Sequence, residues 1–296
     1  MTSTTAPVTA HHHVRGIALV MGAGFCFSLV GLILRHMEAA DGWQVIFYRS
    51  FAFVAVVLAI LALRHRGRIG QAFLDIGWLG LVGGICLGAS GLCVVWSFLH
   101  TTIANATFIL GALPFLTALL AWAVLGEKVR AASWIAMTVV LVGIGVMMAG
   151  GSGGGRLMGN VLAIIGTLAL AILTIVLRKG RQGDMMPVLV VGALFAGLVC
   201  AVIAPDLSIN RHDFILTMVM GVVSIAGGFV LFTLGARYVR AGEMWILSNV
   251  ELIFAPLWVW LAVAELPLVE TFIGGAIIVV AICSQAVITA RHPADA

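Results

Sequence analysis

The sequence predicts an all-α integral membrane protein, and three properties of the chain support this class. Of its 296 residues, 62% are hydrophobic and 9% are charged. A soluble domain has about 45–50% apolar and about 25% charged residues. The apolar residues form long unbroken runs, without the alternation that is typical of membrane β-strands. A chain of this length cannot bury so many apolar side chains in its own core, so a bilayer must cover them.

Ten apolar runs approach the length of about 20 residues that a helix needs to cross a bilayer. They lie at residues 16–35, 45–63, 76–98, 103–125, 133–149, 158–177, 187–204, 213–235, 242–263 and 271–289. We therefore expect ten transmembrane helices. They would be flanked by an N-terminal tail at 1–14, which we predict to be disordered, and by a C-terminal tail at 291–296.

The basic residues indicate how these helices are oriented. If both termini lie in the cytoplasm, twelve of the sixteen Lys and Arg residues fall in cytoplasmic segments. Lys and Arg are enriched in the cytoplasmic loops of membrane proteins, so we predict that both termini are cytoplasmic. Because the basic residues are few and separated by apolar runs, we interpret them as topology signals and predict no nucleic-acid partner.

The two halves of the chain resemble each other. Residues 16–35 align with residues 159–178, and residues 114–127 align with residues 252–265. The two alignments have similar offsets, and together they sample the first and the fourth span of each half. We interpret them as an internal repeat.

A glycine-rich segment at 150–156 separates the two copies and is typical of a flexible linker. We predict one five-helix repeat over 15–149 and a second over 157–290. Because five is an odd number, the copies must enter the membrane from opposite sides. Inverted repeats with a substrate site near the midplane are a recurring design of transporters.

Short motifs connect the chain to a known family. They are Phe47-Tyr48-Arg49 in span two, Leu125-Gly126-Glu127 after span four, and the segment from Glu251 through Pro256 to Glu265. With these motifs the chain resembles the drug/metabolite transporter superfamily, in particular its EamA-type carriers, over residues 15–290. The resemblance implies secondary transport of small molecules, mostly export of amino acids or related metabolites, in a bacterial inner membrane. It also implies a central cavity close to spans three, four, eight and nine.

Glu251 is the most unusual residue for its position. Span nine runs from 242 to 263, so this carboxyl falls near the bilayer centre, where ionisable groups cost about 2.5–3.5 kcal/mol on insertion scales and usually face a cavity. It would bind a substrate ammonium group or carry a proton; the alternative is a protonated carboxyl hydrogen-bonded to a backbone carbonyl. Asn249 lies about 200° away on a regular helix, so both reach one cavity only if the helix unwinds.

Two prolines predict breaks in spans four and nine. Pro114 has no N–H for the carbonyl of Leu110, and Pro256 has none for the carbonyl of Leu252. The freed carbonyls would bind polar groups of a substrate. An ordinary proline kink without a ligand is the alternative.

Four more side chains complete the predicted substrate site. Asn105 and Phe108 share a face of span four, where an amide beside an aromatic ring would hold part of an amino acid. For Asn105, an interhelical hydrogen bond is the alternative. Trp96 and Trp245 would line the apolar part of the cavity. For Arg49, one turn inside span two, we favour a structural role over the attraction of anions.

Two glutamates follow spans four and nine directly. Glu127 precedes Ser133 by six residues, and Glu265 precedes Thr271 by the same number. Such side chains often cap helix N-termini. We expect these two glutamates, together with Ser133 and Thr271, to cap the N-termini of the following helices. They would then stabilise the fold and take no part in transport.

The predicted function is therefore export of amino acids with broad specificity, by alternating access. An apolar cavity wall discriminates weakly between similar side chains, because one methylene is worth about 1–3 kcal/mol. An exporter of cationic drugs or other metabolites is the nearest alternative, and a passive channel is the alternative from another class. The sequence has no GxxxxGK[ST] loop and no HExxH motif. We predict no enzyme activity, no metal site and no cofactor.

Overall fold

A computed structural model of the protein describes residues 10–65, 69–126, 131–149, 154–179, 186–235, 238–239 and 247–291. Over these ranges the regular secondary structure consists of α-helices and one π-helical segment, without strands. The all-helical class predicted from the sequence is confirmed.

The helices of the first half are α1 (Ala10–Arg35), α2 (Gly42–His65), α3 (Ile69–Asp75), α4 (Gly77–His100), α5 (Ile103–Leu110), α6 (Leu113–Leu125) and α7 (Ala131–Ala149). Those of the second half are α8 (Gly154–Lys179), α9 (Met186–Ile203), α10 (Arg211–Val219), a π-helical segment (Met220–Gly227), α11 (Gly228–Gly235), α12 (Glu251–Val263) and α13 (Val269–Arg291).

Seven helical stretches within the described ranges are long and apolar enough to cross a membrane. They are Val14–Arg35, Gly42–His65, Gly77–His100, Ile103–Leu125, Gly155–Leu177, Met186–Ile203 and Arg211–Gly235. Shorter apolar helices lie at Ser133–Ala149, Glu251–Val263 and Val269–Ser284. Large apolar side chains on the surface, such as Leu63 and Leu198, are exposed as lipid-facing residues must be. The protein is a multi-pass membrane protein.

Two segment boundaries differ from the prediction. α1 begins at Ala10, so residues 10–14 are helical and do not belong to a disordered tail. α8 begins at Gly154, so residues 154–156 are helical and do not belong to the linker. Both helices extend because adding a residue to an existing helix costs far less than starting one. Apart from Arg291, which is the last residue of α13, the rest of the predicted linker and tails lies outside the described residues.

The turn between α1 and α2 is anchored to a distant helix. This turn follows Arg35, the last residue of α1, and we call the end of the bundle where it lies the Arg35 end. Asp213, in the first turn of α10, is fully buried. Its carboxylate accepts hydrogen bonds from the backbone amides of Glu38, Ala39 and Ala40 at 3.0, 2.9 and 2.8 Å. This one carboxylate therefore fixes the turn between α1 and α2 to α10, a helix of the second half of the chain.

Glycines allow α7 and α13 to pack with their backbones in contact. A methyl group added at Gly274 would lie 2.4 Å from the carbonyl oxygen of Gly143 and 2.4 Å from Cγ of Met147. The carbonyl oxygen belongs to a helix backbone and cannot move aside. A methyl group added at Gly145, on the same helix as Gly143, would have no atom within 4 Å.

We expect Gly274→Ala to lower the thermal unfolding temperature of the purified protein, whereas Gly145→Ala leaves it unchanged or raises it slightly. Overpacking a close contact costs about 1–3 kcal/mol. An open helical site instead gains up to about 1 kcal/mol from the higher helix propensity of alanine. Equal unfolding temperatures for the two variants would show that the α7–α13 seam is not tightly packed.

Candidate functional site

The predicted span four is interrupted near its middle. α5 ends at Leu110 and α6 begins at Leu113. Between them, the amide of Ala112 donates to the carbonyl of Ile109 at 3.0 Å. Pro114 lies in the first turn of α6. Backbone N–H groups in a first turn make no hydrogen bond within the helix, so the missing N–H of proline costs nothing there. The break that Pro114 predicts is present.

A second break precedes α12. The amide of Val250 donates to the carbonyl of Leu247 at 3.5 Å, across a turn at Asn249 and Val250. The carbonyl of Val250 then accepts from the amides of Ile253 and Phe254 at 3.2 and 3.1 Å. At the first break, the carbonyl of Ala112 accepts from the amides three and four residues later in the same way. The two breaks therefore share one hydrogen-bond pattern, at positions 138 residues apart (250 against 112).

Pro256 does not lie at this second break. It is inside α12, six residues after Val250, and the helix continues to Val263. The prediction that Pro256 marks the break in span nine was wrong. A proline this close to the start of a helix removes one backbone hydrogen bond, and the rest of α12 retains its ladder.

The two breaks are neighbours. A methyl group added at Gly111, in the first break, would come within 2.9 Å of Cδ2 of Leu252 in α12. On the other side, a methyl group at Gly24 of α1 would lie 2.5 Å from the carbonyl oxygen of Ser248. α12 packs against both α1 and α5. The second break is thus enclosed between α1 and the first break.

Unpaired polar groups lie at the second break. Glu251 is the first residue of α12 and is half-buried. Among the described residues, no ion pair or hydrogen bond reaches its carboxylate. The side-chain nitrogen of Asn249 is buried, and it too has no partner within the described part of the chain. Since buried polar groups are normally hydrogen-bonded, these two side chains make the second break a candidate site for a polar ligand.

Asn105 lies elsewhere, at the Arg35 end, and is 2% exposed. Its Oδ1 accepts from Oγ1 of Thr271 at 2.7 Å, and its Nδ2 donates to Oδ1 of Asn160 at 3.1 Å. Oγ1 of Thr101 also donates to Oδ1 of Asn160, at 2.9 Å. The network joins α5, α8 and α13 to the end of α4. It matches the interhelical hydrogen bond that was the alternative for Asn105, and it satisfies the amide without a ligand.

An ion pair closes the same end of the bundle. Nε of Arg35 lies 2.6 Å from Oε2 of Glu265. The two other guanidinium nitrogens donate to the carbonyls of Phe98 and Thr101 at 2.9 and 3.1 Å. Oε1 of Glu265 accepts from the amide of Ile103 at 3.0 Å. α1, α4, α5 and the loop after α12 are therefore tied together.

The structure corrects the role predicted for Glu265. Glu265 caps α5 through the amide of Ile103 and does not cap the helix that follows it. Likewise, the hydroxyl of Thr271 is used by Asn105. Sequence reasoning missed the pair of Arg35 and Glu265, although Arg35 ends span one, Glu265 follows span nine, and both spans end on the same predicted side of the membrane. Glu127 lies outside the described residues.

The predicted aromatic residues are dispersed. Trp96 packs against Trp43 and His100, with ring centroids 4.9 and 5.6 Å apart, and its Nε1 is buried without a partner among the described residues. These contacts lie near the Arg35 end. Phe108 packs on α13, where a methyl group at Gly275 would meet its ring at 2.6 Å. Trp245 lies outside the described residues.

An all-helical, multi-pass protein with two adjacent helix breaks and unpaired polar groups between its spans has the architecture of a membrane transporter. Unwound or broken helices at mid-depth are where transporters bind their solutes. The chain belongs to the EamA-like transporter family, whose profile matches residues 14–149 and 157–284. The resemblance inferred from the short motifs is confirmed. The protein is accordingly a membrane transporter of small molecules and is not an enzyme.

Relatives and a solved structure agree with this assignment. The pseudopaline exporter CntI of Pseudomonas aeruginosa is 25% identical over 289 residues, which cover 90% of this chain and 94% of CntI. Solute carrier family 35 member G1 of Homo sapiens is 25% identical over 290 residues, covering 90% of this chain and 77% of the human protein. A protein crystal structure with 17% sequence identity superposes with a TM-score of 0.67 over 94% of this chain and 98% of its own. That last similarity shows the fold.

Proposed function

We propose that the protein exports small zwitterionic organic solutes by alternating access, with amino acids as the main substrate class. The proposal depends on one observation, the unpaired Glu251 carboxylate beside the unpaired Asn249 amide at a helix break within the membrane. A carboxylate in this environment is costly unless a cation or a proton compensates it. The ammonium group of an amino acid is such a cation.

We also propose that ten spans form two inverted five-helix repeats, with both termini in the cytoplasm. The seven long stretches and three shorter apolar helices supply ten spans. Helix packing supports the repeat. The first helix of each half packs on the third span of the other half: α1 packs on α11 and the π-helical segment, and α8 packs on α4. It also packs on the fourth span of the other half: α1 packs on α12, and α8 packs on α6. With the shared hydrogen-bond pattern of the two breaks, these pairings favour a substrate site at the repeat interface.

Alternating access requires that each end of the bundle closes in turn. The Asn105 network and the Arg35–Glu265 pair hold the Arg35 end shut. In the predicted orientation this is the non-cytoplasmic end, so opening it would release a solute outward. The relative that is named an exporter supports this direction.

Counterflow in proteoliposomes tests the function directly. Vesicles containing the purified protein are loaded with unlabelled amino acids, and uptake of each labelled amino acid is measured. We expect saturable, trans-stimulated accumulation of several amino acids, whereas protein-free vesicles show none. Equilibration without trans-stimulation would indicate a passive channel. Flux of a labelled quaternary amine without flux of any amino acid would favour the cationic-drug alternative.

A further inference from the structure

A second charged side chain lies within a membrane span and takes no part in the contacts described above. Arg49 is seven residues after the start of α2 at Gly42, about 10 Å into the helix. It is half-buried, and its Nη2 donates to the carbonyl oxygen of Gly91 in α4 at 2.9 Å.

The side chain is directed into the membrane. Gly91 lies nine residues before the end of α4 at His100, which is about 13 Å from that end of the helix. An arginine near a helix end usually reaches back toward the interface. Arg49 does the opposite, because its hydrogen-bond partner is at least as deep as its own backbone. A structural role in which Arg49 reaches back to the interface does not fit this direction.

The hydrogen-bonding capacity of Arg49 is largely unused. A guanidinium has five N–H donors, and one hydrogen bond, to Gly91, is formed from it within the described ranges. None of the ion pairs among those residues includes Arg49. Intramembrane arginines normally pair with a carboxylate or with several carbonyls. Four N–H donors of Arg49 therefore have no hydrogen-bond partner within the described ranges.

Arg49 also lies where three helical elements meet. Its backbone carbonyl packs against the π-helical segment, since a methyl group at Gly221 would lie 2.6 Å from it. Its guanidinium contacts α4 at a glycine, where an added methyl group would come within 3.1 Å of Nη2. π-Helical segments are rare and frequently occur at functional sites. Arg49 thus contacts both α4 and the π-helical segment.

We propose that Arg49 binds an anionic group, specifically a carboxylate, of the transported solute. This inference rests on the proposed transport function and deepens it. The planar fork of arginine donates two parallel hydrogen bonds to a carboxylate, which a lysine cannot do. Arg49 therefore selects for solutes that bear a carboxylate.

The test compares each amino acid with its amide, which keeps the ammonium group and lacks the carboxylate. Both compounds are used as unlabelled competitors of amino-acid counterflow in proteoliposomes. Wild-type protein should prefer the acid to the amide at least about tenfold, as expected for one charged hydrogen-bonded pair. Arg49→Gln should abolish this preference, and Arg49→Lys should retain part of it. Arg211→Gln, an exposed arginine at the Arg35 end, should leave it unchanged.

The outcomes separate this inference from the function on which it rests. If Arg49→Gln still transports amino acids and still prefers the acid, Arg49 is not the carboxylate site, and amino-acid transport stands. If wild-type protein transports neither compound, both proposals are wrong. Should Arg49→Gln fail to fold, Arg49→Lys serves instead, because it keeps the charge and loses the planar fork that donates two parallel hydrogen bonds. A preference equal to that of the wild type in Arg49→Lys would then overturn the inference.

Discussion

Replacing Glu251 with glutamine is expected to reduce amino-acid counterflow at least about tenfold and to leave the protein folded. Glutamine has nearly the size of glutamate and keeps one carbonyl oxygen, so the change removes the charge and little else. A hydrogen bond to a charged group is worth about 1.5–3 kcal/mol, which corresponds to roughly 10–100-fold in binding. The measurement is initial counterflow rate in proteoliposomes with equal amounts of each variant.

Glu38→Gln is the matched control, because the side chain of Glu38 is 68% exposed at the Arg35 end. It should transport as the wild type does. If Glu251→Gln also transports normally, the Glu251 carboxylate does not bind the ammonium group of the substrate, and the main support for amino-acid transport is lost. Repeating the assay with an imposed pH gradient tests proton carriage. Full pH-driven flux in the variant would exclude Glu251 as the proton carrier.

Glu265→Gln is expected to open the Arg35 end. The change weakens the ion pair with Arg35, whose two side chains are 24% and 22% exposed and so are partly shielded from water. It also weakens the hydrogen bond that Glu265 accepts from Ile103. Losing about 1.5 kcal/mol of charged hydrogen bonding shifts a two-state equilibrium about tenfold. The ratio of closed to open molecules at the Arg35 end would therefore fall about tenfold.

Cysteine accessibility measures this opening. A cysteine at Ala106, which is fully buried in α5 near the Asn105 network, is introduced after the five native cysteines are replaced. Its rate of labelling by a membrane-impermeant maleimide should rise about tenfold in Glu265→Gln. Glu270→Gln, at the start of α13, should not change the rate. Equal rates in all three backgrounds would mean that the pair does not control access.

The membrane class could be predicted because it depends on summed composition. A run of about 20 apolar residues is stable in only one environment, whatever its detailed order. The first break was also predictable, since Pro114 removes a backbone donor at a defined place. The second break has no comparable signal, because Asn249 and Val250 are compatible with a helix. Its position emerges when the hydrogen bonds of the two halves are compared.

The contacts at the Arg35 end could not be derived from local patterns. Arg35 and Glu265 are 230 residues apart, and Asn105 and Thr271 are 166 apart. Which of these side chains meet depends on how the helices are rotated and staggered against each other. Sequence spacing fixed the faces of single helices. It gave Glu265 and Thr271 plausible local roles as caps, whereas the folded chain uses both to join distant helices.

The tether from Asp213 to the turn after α1 provides a reference for studies of motion. Because three backbone amides converge on one buried carboxylate, the turn and the start of α10 must travel together in any rearrangement. Probes at the exposed positions Glu38 and Arg211 would therefore report a constant separation. The distance between these two probes serves as a reference. A change in the distance from either of them to the loop after α12, for example to exposed Leu266, then reports relative movement of the helices.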